Sequence, residues 1–240
     1  KMQVIKKIVK RVIIAFTRAL YRTRVGSIIS ETVIEEVIHR VKSVTHNNFK
    51  LRFAVPNELN YFRVDTFSTK EPETLKWIDS LSEDSTLWDI GANIGLYSVY
   101  AAKARNCKVF AFEPSVFNLE LLARNIYLNG LQEKITVIPV ALSDEIGSNK
   151  MRFTKTEWGG ALSTFGKNIG WDGKPIAENF SFTTFGCSMD EAESILKLPQ
   201  PDYIKMDVDG IEHFILKGGK HVLENVLGVL IEINDDFTDQ

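Results

Sequence analysis

The residues of this 240-residue chain best able to do chemistry lie in two closely spaced runs. Asp89-Ile90-Gly91-Ala92-Asn93-Ile94-Gly95 follows the apolar stretch Thr86-Leu87-Trp88, and Val109-Phe110-Ala111-Phe112 ends on Glu113. The pattern reads as a strand, a glycine turn, a helix and a second strand, a nucleotide-binding βαβ unit. Glycines at 91 and 95 let the backbone turn sharply and approach a ligand. Asp89 and Glu113 then fall at the carboxyl ends of neighbouring strands, where open α/β sheets bind ligands.

The kind of nucleotide is indicated by a missing residue. A G-x-G-x-x-G turn needs its middle glycine so that a pyrophosphate can lie against the backbone and the helix N-terminus. Here the spacing is Asp-x-Gly-x-x-x-Gly, and Asp89 would repel a pyrophosphate but could help hold an ammonium group, directly or through water. S-adenosylmethionine carries an ammonium and no phosphate, and Glu113 could accept hydrogen bonds from its free ribose hydroxyls. The competing structural reading has Asp89 capping the turn and Glu113 ending its strand in water.

A wider frame must position these groups. Hydrophobic residues make up 44% of the chain and charged residues 25%, enough for one full core with an N-terminal extension. The formal net charge of −2 gives no global attraction for nucleic acid. Cys107 and Cys187 have no CxxC spacing, which points to a reduced, cytoplasmic protein without a zinc site. Before Glu31 every charge is basic, including Lys6, Lys7, Lys10, Arg11, Arg18, Arg22 and Arg24. Ile5, Ile8, Val9, Val12, Ile13, Phe16 and Leu20 share the opposite face of one helix, which is amphipathic and too charged to span a bilayer. It could meet anionic lipid, its own protein or a dimer mate. A second helix is expected with Thr32 and Glu35 as a capping box and Ile29, Val33, Val37, Val41 and Val44 as its stripe.

Residues 45–70 read as an irregular or short-stranded approach and 71–81 as a helix. Strands are expected near 86–90, 108–113, 135–140, 149–154, 181–185, 202–208 and 227–233, with helices near 95–105, 116–129, 189–197 and 211–224. This alternation implies an α/β fold, a mostly parallel Rossmann-like sheet covered by helices on both faces. The division expected is 1–70 for the N-terminal helices and approach segment, and 71–240 for the ligand-binding domain. The last strand is strongly apolar, and an exposed edge there would invite pairing, so a chain cut at its C-terminus or a covering partner is expected.

With these residues in place, the sequence resembles the FkbM family of S-adenosylmethionine-dependent methyltransferases from about Glu71 to Asn234. Asp89 to Gly95, with Ala92 and Asn93 between the glycines, is similar to the family's cofactor loop, and Phe112-Glu113-Pro114-Ser115 to its ribose-binding strand end. Asn118, Leu122, Asn125 and Asn129 match the helix that follows. Val140-Ala141-Leu142-Ser143-Asp144 is similar to the segment where this enzyme class contacts the adenine. Ile204 to Glu212, with Leu216-Lys217-Gly218-Gly219, resembles the signature after the fourth strand, although Asp209 stands where the family more often has Glu. The family's closing pair of strands is absent from this sequence. The resemblance implies a class I methyltransferase fold, S-adenosylmethionine as cofactor, and a sugar, glycan or other small molecule as acceptor.

Methyl transfer from a sulfonium asks the enzyme to position the acceptor and exclude water, and a hydroxyl acceptor gains from a general base. Candidates are the carboxylates at the fourth and fifth strand ends: Asp207, Asp209, Glu212 and Glu232. Lys205, two residues before Asp207, is expected to face the same side of the strand and pair with it, making Asp207 a weaker base. Asp207 would then orient the acceptor or the methionine end of the cofactor, with Glu232 as the other polar wall. The alternative is a structural Lys205–Asp207 pair with Glu212 capping a helix. Magnesium held by Asp207, Glu232 and Asn234 is the lesser reading, after a polar rim. His213 is a further base candidate, set against a solvent-facing helix position. Trp158-Gly159-Gly160-Ala161-Leu162-Ser163, with Trp171 nearby, could form a lid or stack on a sugar face, or be a plain hairpin loop. The competing functions are an NAD-dependent oxidoreductase, opposed by the missing glycine, and a non-catalytic cofactor-binding module. Nucleic-acid methylation lacks an Asn-Pro-Pro-Tyr type loop.

Overall fold

The computed structural model describes residues 2–234, in two compact units that divide between Arg40 and Val41. The first holds α1 (Met2–Leu20) and α2 (Arg24–Ile38). Helix α2 begins earlier than the Thr32 capping box would have it. Thr23 is extended and its side chain accepts from the Gly26 N–H at 3.0 Å, satisfying one of the helix's orphan donors. Thr32 lies inside the helix, its hydroxyl donating to the Ile28 carbonyl at 2.9 Å.

The second unit opens with a hairpin, β1 (Val41–His46) and β2 (Phe49–Ala54), turned by Asn47 and Asn48 at φ 44° and 69°. Both central residues are left-handed, a conformation asparagine tolerates and two-residue hairpin turns require. Short helices follow as α3 (Glu58–Asp65), α4 (Phe67–Lys70) and α5 (Pro72–Ser80). The expected boundary at residue 70 therefore moves to 40, because Leu51, Phe53, Val64 and Phe67 are buried in the same cluster as the central sheet. Val41 and Val44, expected on the second helix, belong to β1.

The remaining elements are β3 (Thr86–Ile90), α6 (Leu96–Ala104), β4 (Lys108–Phe112), α7 (Val116–Asn129), β5 (Ile135–Ile138), β6 (Ala141–Leu142), β7 (Gly147–Phe153), β8 (Ser163–Phe165), β9 (Phe180–Cys187), α8 (Met189–Ser194), β10 (Tyr203–Met206), α9 (Glu212–Lys217), α10 (Lys220–Leu223) and β11 (Gly228–Ile231). A parallel sheet runs in the order β11-β10-β3-β4-β5. Its side chains alternate between two cores. Leu87, Val109, Ala111 and Ile135 pack with α5, α6, α7 and the hairpin. Trp88, Ile90, Phe112, Ile204 and Met206 pack on the other face with α8–α10 and a second sheet.

That second sheet, in the order β6-β9-β7-β8, corrects the assignment of 149–154 and 181–185 to the parallel sheet. Strand β7 pairs antiparallel with both neighbours. Its sequence Gly-Ser-Asn-Lys-Met-Arg-Phe leaves its first four residues exposed, whereas a central parallel strand must be apolar on both faces. The expected helix 211–224 is broken at Gly218-Gly219, where the backbone runs against α8: a Cβ on Gly219 would sit 2.0 Å from the Met189 Cε. Strand β11 stands at the sheet edge, and the expected cover for that edge, past Asn234, lies outside the described residues.

Candidate active site

The strand order reverses between β3 and β10: the chain moves outward through β4 and β5, then returns to place β10 and β11 on the other side. Such a switch point opens a crevice at the carboxyl ends of the strands, and the predicted residues gather around it. The Gly91 and Ala92 N–H groups both donate to the Phe112 carbonyl at 3.0 Å, fastening the turn to β4. Gly91 has φ +79°, and a Cβ there would lie 1.8 Å from the Asp207 carbonyl oxygen, so only glycine fits.

Glu113 is buried, which removes the reading that it ends its strand in water. Its two oxygens accept from the Asn93 and Ser115 N–H groups at 2.8 Å each. Burial nevertheless pushes its pKa up to about 7. A carboxylate has about four acceptor directions, so capacity remains for a diol in the cleft that Glu113 lines.

Asp89 is placed differently from expectation. It is 1% exposed and does not line the cleft. Its cross-strand register partner is Lys205, whose Nζ lies 3.2 Å from the Asp89 Oδ1 and 3.9 Å from the Asp207 Oδ2. The expected Lys205–Asp207 pair is therefore the longer of two contacts, because Asp207 has left the strand while Asp89 lies level with Lys205 on it. Burial works to strip the Lys205 proton, but Asp89 and Asp207 outweigh it and hold the ammonium charged. Ser98 donates to the other Asp89 oxygen at 2.5 Å. Asp89 thus braces the floor of the site, and Gly95 packs behind the turn on Leu122.

Ala92, Asn93, Pro114, Ala141 and Leu142 line the cleft beside Glu113, and Lys205, Asp207, Asp209 and Glu232 line it across the switch point. A second cavity, lined by Trp171, Gly210, Ile233 and Asn234 among others, meets the first at Asp207, Asp209 and Glu232. Asp207 faces Glu232, and that repulsion together with desolvation raises the Glu232 pKa to about 7. Asp209, at φ 61°, accepts from the Leu162 N–H at 2.7 Å, and burial with the Asp207 charge raises it to about 6. Glu212 is 2% exposed and accepts from the Val208 and Gly210 N–H groups at 3.1 and 3.0 Å, which locks the preceding loop and does not cap α9 as the structural reading had it. His213 is half-buried with its ring against Phe214, and it lines neither cavity.

The sequence pattern gave no sign of one wall. Tyr97 donates to Glu71 at 2.7 Å, and Lys70 pairs with Glu71. Burial works to raise the Glu71 pKa, but these two partners hold it below the usual range. Glu71 looks like an ordinary helix start, and only the tertiary fold brings it to Lys205. Arg63, also at the rim, donates to the Gly159 carbonyl at 3.1 Å. The Trp158–Gly160 loop is held by amides: Asn57 and Asn60 donate to the Trp158 carbonyl at 2.9 Å, and Asn93 and Asn118 to that of Gly160 at 3.1 and 3.2 Å.

Residues 89–240 match the methyltransferase FkbM domain, a span from the glycine turn through the switch point. The chain belongs to the FkbM methyltransferase family. It is 27% identical over 196 residues to the hexuronic acid methyltransferase AglP of Haloferax volcanii, covering 78% of this chain and 72% of that protein. It is 35% identical over 72 residues to the methyltransferase sdnD of Sordaria araneosa, covering 30% of this chain and 28% of the other. Among solved structures, a precorrin-6y C5,15-methyltransferase from Geobacter metallireducens aligns over 69% of this chain and 63% of its own, with 17% identity and a TM-score of 0.40. In this FkbM protein the Asp89–Lys205 pair lies beneath the glycine turn, and a mixed sheet covers one core.

Proposed function

We propose that this FkbM protein is an S-adenosylmethionine-dependent O-methyltransferase acting on a hydroxyl of a sugar, glycan or other small molecule. The observation that carries the reading is the meeting of two cavities at Asp207, Asp209 and Glu232, one bearing Glu113 and the glycine turn, the other Trp171. Glu113 would take the ribose hydroxyls, Ala141 and Leu142 the adenine, and the Glu71 and Asp207 carboxylates the ammonium end. When bound, the cofactor supplies an electrophilic methyl group on a cationic sulfur. The chain's task is then to align an acceptor oxygen behind that methyl carbon and remove its proton. Glu232, at the junction, would accept the hydroxyl proton as the acceptor oxygen takes the methyl carbon and the C–S bond breaks to leave a neutral thioether, while Asp207 would hold the acceptor in line. Trp171 offers an apolar plane for the face of a sugar ring.

Among the described residues the second cavity presents four carboxylates and no basic side chain, which favours an uncharged polyol over a carboxylate-bearing sugar. Calorimetric titration with S-adenosylmethionine and with NAD tests the cofactor. Micromolar binding of the first alone is expected, and NAD binding instead would return the oxidoreductase reading. A methylation assay on paired neutral glycosides and uronides, with the product's methyl position read by NMR, tests the acceptor. An O-methyl ether on the neutral glycoside is expected, and transfer to nitrogen or carbon would sink the assignment.

A further inference from the structure

We propose that α1 is an interfacial anchor that lies flat on an anionic lipid bilayer. At 100° per residue, Ile5, Ile8, Val9, Val12, Ile13 and Phe16 fall on one face of this helix. All six are at least 50% exposed, and Phe16 reaches 66%. A continuous apolar stripe of this kind marks an interaction surface. The opposite face carries Lys7, Lys10, Arg11 and Arg18, and Arg22 and Arg24 follow, with no acidic residue before Glu31. No helix among the described residues is long and apolar enough to cross a membrane. A helix with an apolar face and an opposite face whose charges are all basic, too charged to span, is matched by the boundary between headgroups and acyl chains.

Helix α2 supplies an internal comparison. It also exposes apolar residues, Val25, Ile28, Ile29, Val33 and Ile34, but it carries Glu31, Glu35 and Glu36. A negative surface repels those acids and attracts the basic face of α1, so the charge pattern selects α1 as the lipid-facing element. The same pattern disfavours a second copy as the occupant. Two α1 helices paired along their apolar stripes would flank the seam with basic residues and no acidic partner, where helix pairs ordinarily place opposite charges.

The test is co-sedimentation of the full chain with vesicles of phosphatidylcholine alone and of phosphatidylcholine mixed equally with phosphatidylglycerol. Partition onto the anionic vesicles is expected to be stronger by about tenfold or more and to weaken as salt rises. Val9→Glu combined with Phe16→Glu should abolish binding to both. Lys7→Gln, Lys10→Gln and Arg11→Gln together should remove the preference for anionic lipid. Both variants should keep the wild-type thermal unfolding of the second unit, since none of these residues belongs to its core. Failure to bind anionic vesicles, or equal binding to both kinds, overturns the proposal. So does self-association in sedimentation velocity that Phe16→Glu removes while no vesicle is bound, which would assign the stripe to a second copy.

Discussion

Lys205 and Asp89 are both buried and are each other's nearest charged partner. Removing one member of such a pair leaves an uncompensated charge inside the sheet, at a cost of about 3–5 kcal/mol. Asp89→Ala should therefore lose that much stability in urea denaturation, and Lys205→Met added to it should restore a large part. An unchanged unfolding midpoint in Asp89→Ala would show that the pair is not a structural brace. Glu232 makes a different prediction. To accept a proton it must be ionised, and Asp207 together with burial raises its pKa to about 7. The rate should rise as pH increases through about 7 and level off above it, because the ionised fraction grows in that direction. Glu232→Gln should lower kcat by about 10²–10⁴, flatten this rise and leave S-adenosylmethionine affinity within a few-fold. A full pH rise in Glu232→Gln would move the base elsewhere.

At the level of elements, α7 binds the hairpin to the cofactor loop. The Asn125 carbonyl accepts the Ala54 N–H at 2.7 Å while its amide donates to the Ile94 carbonyl at 2.8 Å. One turn on, Asn129 makes the same kind of exchange with Arg52, at 3.0 and 2.7 Å. Asn125→Ala strands two buried backbone groups, at about 1–3 kcal/mol for each left unpaired. The loss should appear in chemical denaturation and as weakened cofactor binding, since Ile94 belongs to the turn. This contact shows where sequence reading ends. The βαβ unit, the strands expected near 202–208 and 227–233 and the carboxylates at their ends were legible because glycine spacing and apolar runs are local signals. The hairpin's attachment was not, since Asn125 meets Ala54 from 71 positions away and neither residue has a local reason to do so. Thr32 failed for a related reason: a capping pattern matters only where the backbone leaves the helix, and Thr23 is where it does. Glu71 and Tyr97 escaped notice because each has an ordinary place on its own helix.

Across the whole molecule, the two units differ in what holds them. Among the described residues, the hydrophobic cores of the second unit draw on residues from Val44 onward. A chain beginning at Val41 should therefore unfold cooperatively at the wild-type midpoint and bind S-adenosylmethionine with unchanged affinity, measured by calorimetry and titration. A large loss of either would show that the helices belong to the catalytic fold. The central sheet has a further consequence, one of timing. Strands β3 and β10 lie side by side, and the Thr86 N–H reaches the Asp202 carboxylate across 116 positions of chain. The Lys205 that neutralises Asp89 arrives from the same distance. Loops that long close slowly, and their contacts raise the barrier to folding. During synthesis β3 is made well before β10, so the Asp89 carboxylate waits for its partner until Lys205 has been added. The buried ion pair thus cannot close until the later part of the chain has been made.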